Sequence, residues 1–139
     1  MPGRLIQADA AIADLLRSSH TIAVLGLSPK VDRDSYRVAD YLKQQGYRII
    51  PVRPGQKEIL GEKVYASLAE IPVPVDIVDV FRNSAQVLPH AHEALGLRPK
   101  AFWMQLGIVS QEAADLLTAS GIDVVMDRCI KIEHAKHRN

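Results

Sequence analysis

Three side chains are placed to hold an anion: the hydroxyl of Ser28 and the guanidinium groups of Arg37 and Arg53. Ser28 lies in the stretch Thr21 to Arg37, TIAVLGLSPKVDRDSYR, where an apolar run ends at Gly26, a polar loop follows and an amphipathic helix is expected from about Asp34. A strand, a tight exit turn and a helix N-terminus together make an anion site, because free backbone N–H groups and the positive end of the helix dipole share one space. Ser28 would donate its hydroxyl there, and Arg37, one turn into the helix, would pair with a phosphate. A turn-forming serine and a solvent-facing helical arginine are the plainer roles for the same two residues.

The loop lacks G-x-G-x-x-G: Leu27, Ser28 and Pro29 follow Gly26, and the next glycine is Gly46. A pyrophosphate then lies farther from the helix than in a dinucleotide site, which disfavours NAD. At the second strand end, where NAD sites commonly carry an acidic residue for the ribose diol, this chain reads PVRPG with Arg53. A cation there suits a phosphorylated ribose, as in NADP or coenzyme A, or else Arg53 is a surface residue of a proline turn.

Other residues at expected strand ends are chemically mixed. Phe81 would wall an apolar channel or belong to the core, Arg82 or Asn83 would hydrogen-bond amides, and Gln105 would read a polar ligand. Asp127 and Arg128 are expected to form a local ion pair. Cys129, the lone cysteine, follows the last strand and would exchange with a ligand thiol under oxidation, or is inert. His90 and His92 are two apart on an expected helix and face different ways, whereas His134 and His137 share a face but sit in the tail. No metal pattern, Ser-His-Asp set or carboxylate pair is apparent, so neither metal nor catalytic residues are expected.

A chain of 139 residues is expected to make one domain (1–139) with a continuous core. Lys and Arg total 17 against 16 for Asp and Glu, so at a net charge of +1 any attraction for anions must be local, with no general affinity for nucleic acid or anionic membrane. A single cysteine excludes an intrachain disulfide. No apolar run reaches the roughly 20 residues of a membrane span, and no secretory leader is apparent. A cytoplasmic location is expected.

A leading helix is expected at about 6–19, strands at 21–25, 47–52, 76–81, 101–105 and 122–126, and helices at 35–45, 84–95 and 110–120. Asp34 or Ser35 should cap the second helix, and Gly46, Gly96 and Gly121 should follow helix ends. Pro89 implies a kink or a late helix start. In the less regular 56–74 region, a turn at Leu60-Gly61, a short edge strand at Val64-Tyr65 and one helical turn capped by Ser67 are expected. KIEHAKHRN is expected as a polar turn or short helix that frays, with a tail after about 134. Alternating strands and helices predict a Rossmann-like α/β fold, a doubly wound parallel sheet of about five or six strands with helices on both faces. Ligands of such sheets bind beyond the carboxyl ends of the strands, where the strand order reverses.

Taken together, IAVLGLSPKVDRDSYRVADYL, YRIIPVRPG, VDIVDVFRNS, FWMQLGI and VVMDRCIKIEH resemble the small stand-alone CoA-binding domain proteins, similar to the CoA-binding domain of the succinyl-CoA synthetase α subunit. The resemblance runs from Ser19 to His134. It implies a nucleotide-binding domain for CoA or an acyl-CoA, with Gly26, Leu27, Ser28 and Arg37 at the phosphates, Pro51, Val52 and Arg53 at the adenosine, and Phe81, Arg82, Gln105, Leu106 and Gly107 beside the pantetheine. The chain has no phosphohistidine segment, grasp-type nucleotide domain or ligase portion, so the synthetase reaction does not transfer. The expected function is binding without catalysis, as a carrier, sensor or adaptor. The alternatives are an NADP-dependent oxidoreductase and a regulatory protein-interaction module.

Overall fold

A computed structural model describes residues 2–138. Five strands, β1 (Thr21–Leu25), β2 (Arg48–Val52), β5 (Ile77–Val80), β6 (Ala101–Met104) and β7 (Asp123–Val125), form one sheet in the order β2-β1-β5-β6-β7. Every pairing in it is parallel. The short aliphatic runs suit this position, since strands covered on both faces need apolar side chains on both sides. Ile22 and Val24 point to one face and Ala23 and Leu25 to the other, each into its own hydrophobic cluster.

Helices α1 (Asp9–Ser18), α2 (Asp34–Gln44) and α5 (Ile130–His137) cover the first face through Ile12, Leu16, Val38, Leu42 and Ile130. Helices α3 (Val87–Leu97) and α4 (Gln111–Ala119) cover the second through Val87, Ala91, Ala114 and Leu117. The strand order reverses between β1 and β5, which fixes the crevice expected of a doubly wound sheet.

Local differences from the sequence reading have physical causes. Residues before α1 do not extend it: Ile6 N–H donates to Val124 and Val124 N–H to Arg4, so this segment covers the free edge of β7. Between β2 and β5 the expected Val64-Tyr65 strand is replaced by a hairpin, β3 (Glu58–Ile59) with β4 (Glu62–Lys63), around the expected Leu60-Gly61 turn. Both turn residues have positive φ, the geometry that two-residue hairpins favour. Tyr65 adds only a single parallel bridge to Val52. Ser67 precedes a 3-10 turn, Leu68–Glu70, without a side-chain cap bond.

Pro89 sits in the first turn of α3, preceded by a 3-10 turn at Ser84–Gln86: the helix starts late rather than kinking. Gly96 lies inside that helix, and Arg98 takes the left-handed cap at φ 53°. The expected tail belongs as far as His137 to α5, a helix packed on α1 and α2 with Ile130 fully buried; Asn139 lies outside the described residues.

Candidate functional site

At the reversal point the chain leaves β1 through Gly26, whose φ is +84°. A Cβ on this residue would sit 2.5 Å from the Phe81 carbonyl oxygen. Glycine is thus required by the close passage of the β1 and β5 exit loops, in addition to its backbone conformation. Leu27 is fully buried in the core beneath the loop, so only its backbone faces outward. Ser28 N–H donates to Ser35 Oγ at 3.0 Å, and Ser28 Oγ accepts from Lys30 N–H at 3.1 Å. Ser35 therefore braces the loop instead of capping α2, and no side chain caps the N-terminus of that helix.

A cleft of about 450 Å³ opens here, lined by Gly26, Ser28, Arg53, Phe81 and Arg82 together with Lys30, Arg33, Asp34 and Ser35. Four of these side chains are cationic, and Asp34 is the one carboxylate among them. The cations, the uncapped α2 terminus and the Ser28 hydroxyl make a site for a polyanion. Through Gly26, Arg53 and Arg82 the cleft continues into a smaller arm of about 200 Å³ bounded by Leu25, Val52, Pro54, Ala66 and Pro89. This arm suits a flat, largely apolar group. His90 also lines it, its pKa lowered by burial and by Arg82, against the opposing pull of Glu93 3.8 Å away.

The residues singled out from sequence divide. Gly26, Ser28, Arg53, Phe81 and Arg82 converge on the cleft, and Val52 on its apolar arm. Pro51 is a buried strand residue paired in register with Val24, on the edge strand where a missing N–H is tolerated. Arg37 does not line the cleft; its guanidinium lies 3.5 Å from Asp34 on the exposed side of α2. Lys30 and Arg33, in the same quoted stretch, take its place at the cleft. Only their distance from the loop serine and from the helix start could have pointed to them.

The carboxyl ends of β6 and β7 are arranged differently. Gln105 is buried, and its Oε1 accepts from Ile130 N–H at 3.0 Å, so it anchors the start of α5. Gly107 N–H donates to Asp127 Oδ1 at 2.6 Å. Arg128 does not pair with Asp127; it reaches Glu133 at 3.5 Å and the Gln7 carbonyl at 3.0 Å. Asp127 is held at φ 60° with its carboxylate turned to Gly107. Leu106 and Cys129 line a separate depression of about 310 Å³ with Met126 and Ile132.

A doubly wound parallel sheet with a cationic cleft at its switch point places the chain among Rossmann-like α/β domains. The chain belongs to the CoA-binding-domain family, whose sequence profile, described as a CoA binding domain, matches residues 20–135. It is 46% identical over 126 residues to YneT, an uncharacterized protein of Bacillus subtilis, covering 91% of this chain and 93% of that one. It is 34% identical over 85 residues to the ADP-forming acetate–CoA ligase II of Archaeoglobus fulgidus, a match covering 58% of this chain and 12% of the ligase. Among solved structures, a protein of Thermus thermophilus superposes with a TM-score of 0.91 at 41% identity, covering 95% of this chain and all of that one (100%).

Proposed function

We propose that this protein binds coenzyme A or an acyl-CoA and serves as a carrier, sensor or adaptor without catalysis of its own. The observation that carries this reading is the two-part cleft: a cationic chamber at the Gly26–Ser28 loop, continuous with an apolar arm across Arg53 and Arg82. A ligand with a diphosphate joined to a phosphorylated nucleoside matches that order of chemistry. In this assignment Ser28, Lys30 and Arg33 hold the diphosphate and the arm between Val52 and Pro89 takes the adenine. Arg53, which borders both parts, takes the ribose phosphate, and the pantetheine runs out past Phe81 toward Leu106 and Gly107. Membership of the CoA-binding-domain family supports the same ligand.

No described helix is long and apolar enough to cross a membrane, and the one cysteine is unpaired, which suits a reducing cytoplasm. Calorimetry with CoA and dephospho-CoA tests the cation assignment. CoA should bind more tightly by about tenfold or more, the worth of a charge-assisted hydrogen bond. Equal affinities would remove Arg53 from the ribose phosphate.

A further inference from the structure

Away from the cleft, where α5 packs on α1, Asp9, Glu133 and His137 each bring one potential metal-ligating atom within 4.8 Å of the others. We propose that these three residues bind a divalent transition metal of the zinc type, clipping the first turn of α1 to the last turn of α5.

Glu133 and His137 are four residues apart on α5 and therefore share a face, and Asp9 opens the facing helix. Ligands held about 2.0–2.2 Å from one ion lie roughly 3–4 Å apart, so closing the set needs only small side-chain adjustments. His137 is itself partly exposed, but its Nε2 is buried and has no hydrogen-bond partner among the described residues. Leaving a buried polar nitrogen unpaired is costly, and coordination removes that cost.

Glu133 is 4% exposed. Arg128 Nη1 lies 3.5 Å from one carboxylate oxygen and Lys136 Nζ 3.1 Å from the other. A carboxylate has lone pairs for more than these two donors, so both cations act as outer contacts that fix its orientation. Two carboxylates and one imidazole suit zinc, manganese or cobalt, whereas calcium prefers oxygen donors alone. Asp9 is exposed, leaving the remaining coordination positions open to water.

The full chain, stripped with EDTA and dialysed, is titrated with zinc chloride in a calorimeter and melted with and without zinc. One zinc per chain, a higher melting temperature, and at least tenfold weaker binding for Asp9→Asn and His137→Gln are expected, with Cys129→Ser unchanged. Far-UV circular dichroism confirms that each variant is folded. Unaltered zinc affinity in folded His137→Gln, or no zinc binding to the parent chain, overturns the proposal. Cobalt gives an independent readout: visible bands without a thiolate charge-transfer band support the assigned ligands, whereas a thiolate band moves the metal to Cys129 and defeats it.

Discussion

Arg53 and Arg37 looked alike as sequence, and their surroundings separate them. Arg53 borders both parts of the cleft, whereas Arg37 is half-exposed beside Asp34. Arg53→Ala is expected to weaken CoA binding by about tenfold or more and to erase the preference for CoA over dephospho-CoA. Arg37→Ala should leave both affinities within about twofold, as for an exposed ion pair. Isothermal titration of both variants with both ligands checks this; a larger loss for Arg37→Ala would reverse the assignment. A second residue, Asp79, reads in DIVDVF as one polar residue of a strand, yet it is fully buried and neither carboxylate oxygen has a partner among the described residues. It lies between Val24 on β1 and Trp103 on β6, and burial raises its pKa well above the usual carboxylate range. The folded chain thus holds this proton more tightly than the unfolded one. Its contribution to stability is most favourable below the unfolded value near pH 4 and declines as pH rises through the folded pKa. Asp79→Asn should therefore raise the melting temperature at pH 8, with the gain shrinking toward pH 4.5. A pH-independent difference in melting temperature would count against a protonated Asp79.

The loop from β1 to α2 is fixed by contacts within the chain, Ser28 with Ser35 and Lys30, and by the close approach of Gly26 to Phe81. Gly26→Ala would drive a Cβ against the Phe81 carbonyl in a backbone region disfavoured for alanine. A loss of about 1–3 kcal/mol is expected in urea unfolding, with the adjoining cleft distorted as well. Helix α5 offers a complementary case. Its start is anchored by Gln105 and by the fully buried Ile130. Ile130→Ala should cost about 2–5 kcal/mol, the range for a large core truncation, measured by the same unfolding. A cost below about 1 kcal/mol would show that the helix is peripheral. Ser110, where a helix is expected to begin, caps it by accepting from Ala113 N–H three residues away. The cap expected at Asp34 or Ser35 does not form, because Ser35 is committed to Ser28 across a loop. Likewise KIEHAKHRN looks polar in isolation, and the contacts with α1 and α2 that hold α5 come from distant parts of the chain.

Over the whole molecule, the strands were legible because fully covered parallel strands appear as short aliphatic runs, and β1 coincides with its expected span, Thr21–Leu25. Strand order was not written in any one run, yet alternation with helices on both faces restricted it to a doubly wound sheet whose reversal locates the cleft. Five residues chosen from sequence, Gly26, Ser28, Arg53, Phe81 and Arg82, meet there. That Lys30 and Arg33 line the cleft while Arg37 lies outside it, and that Gln105 bonds the start of α5, depends on side-chain directions that spacing does not specify. The proposed metal set depends likewise on two helices at opposite ends of the chain. The most direct measurement of the central claim is calorimetric titration of the ligand-free full chain with CoA and, separately, NADPH. Saturable binding of one CoA per chain without NADPH binding is the predicted result; NADPH binding without CoA binding, or binding of neither, would contradict it.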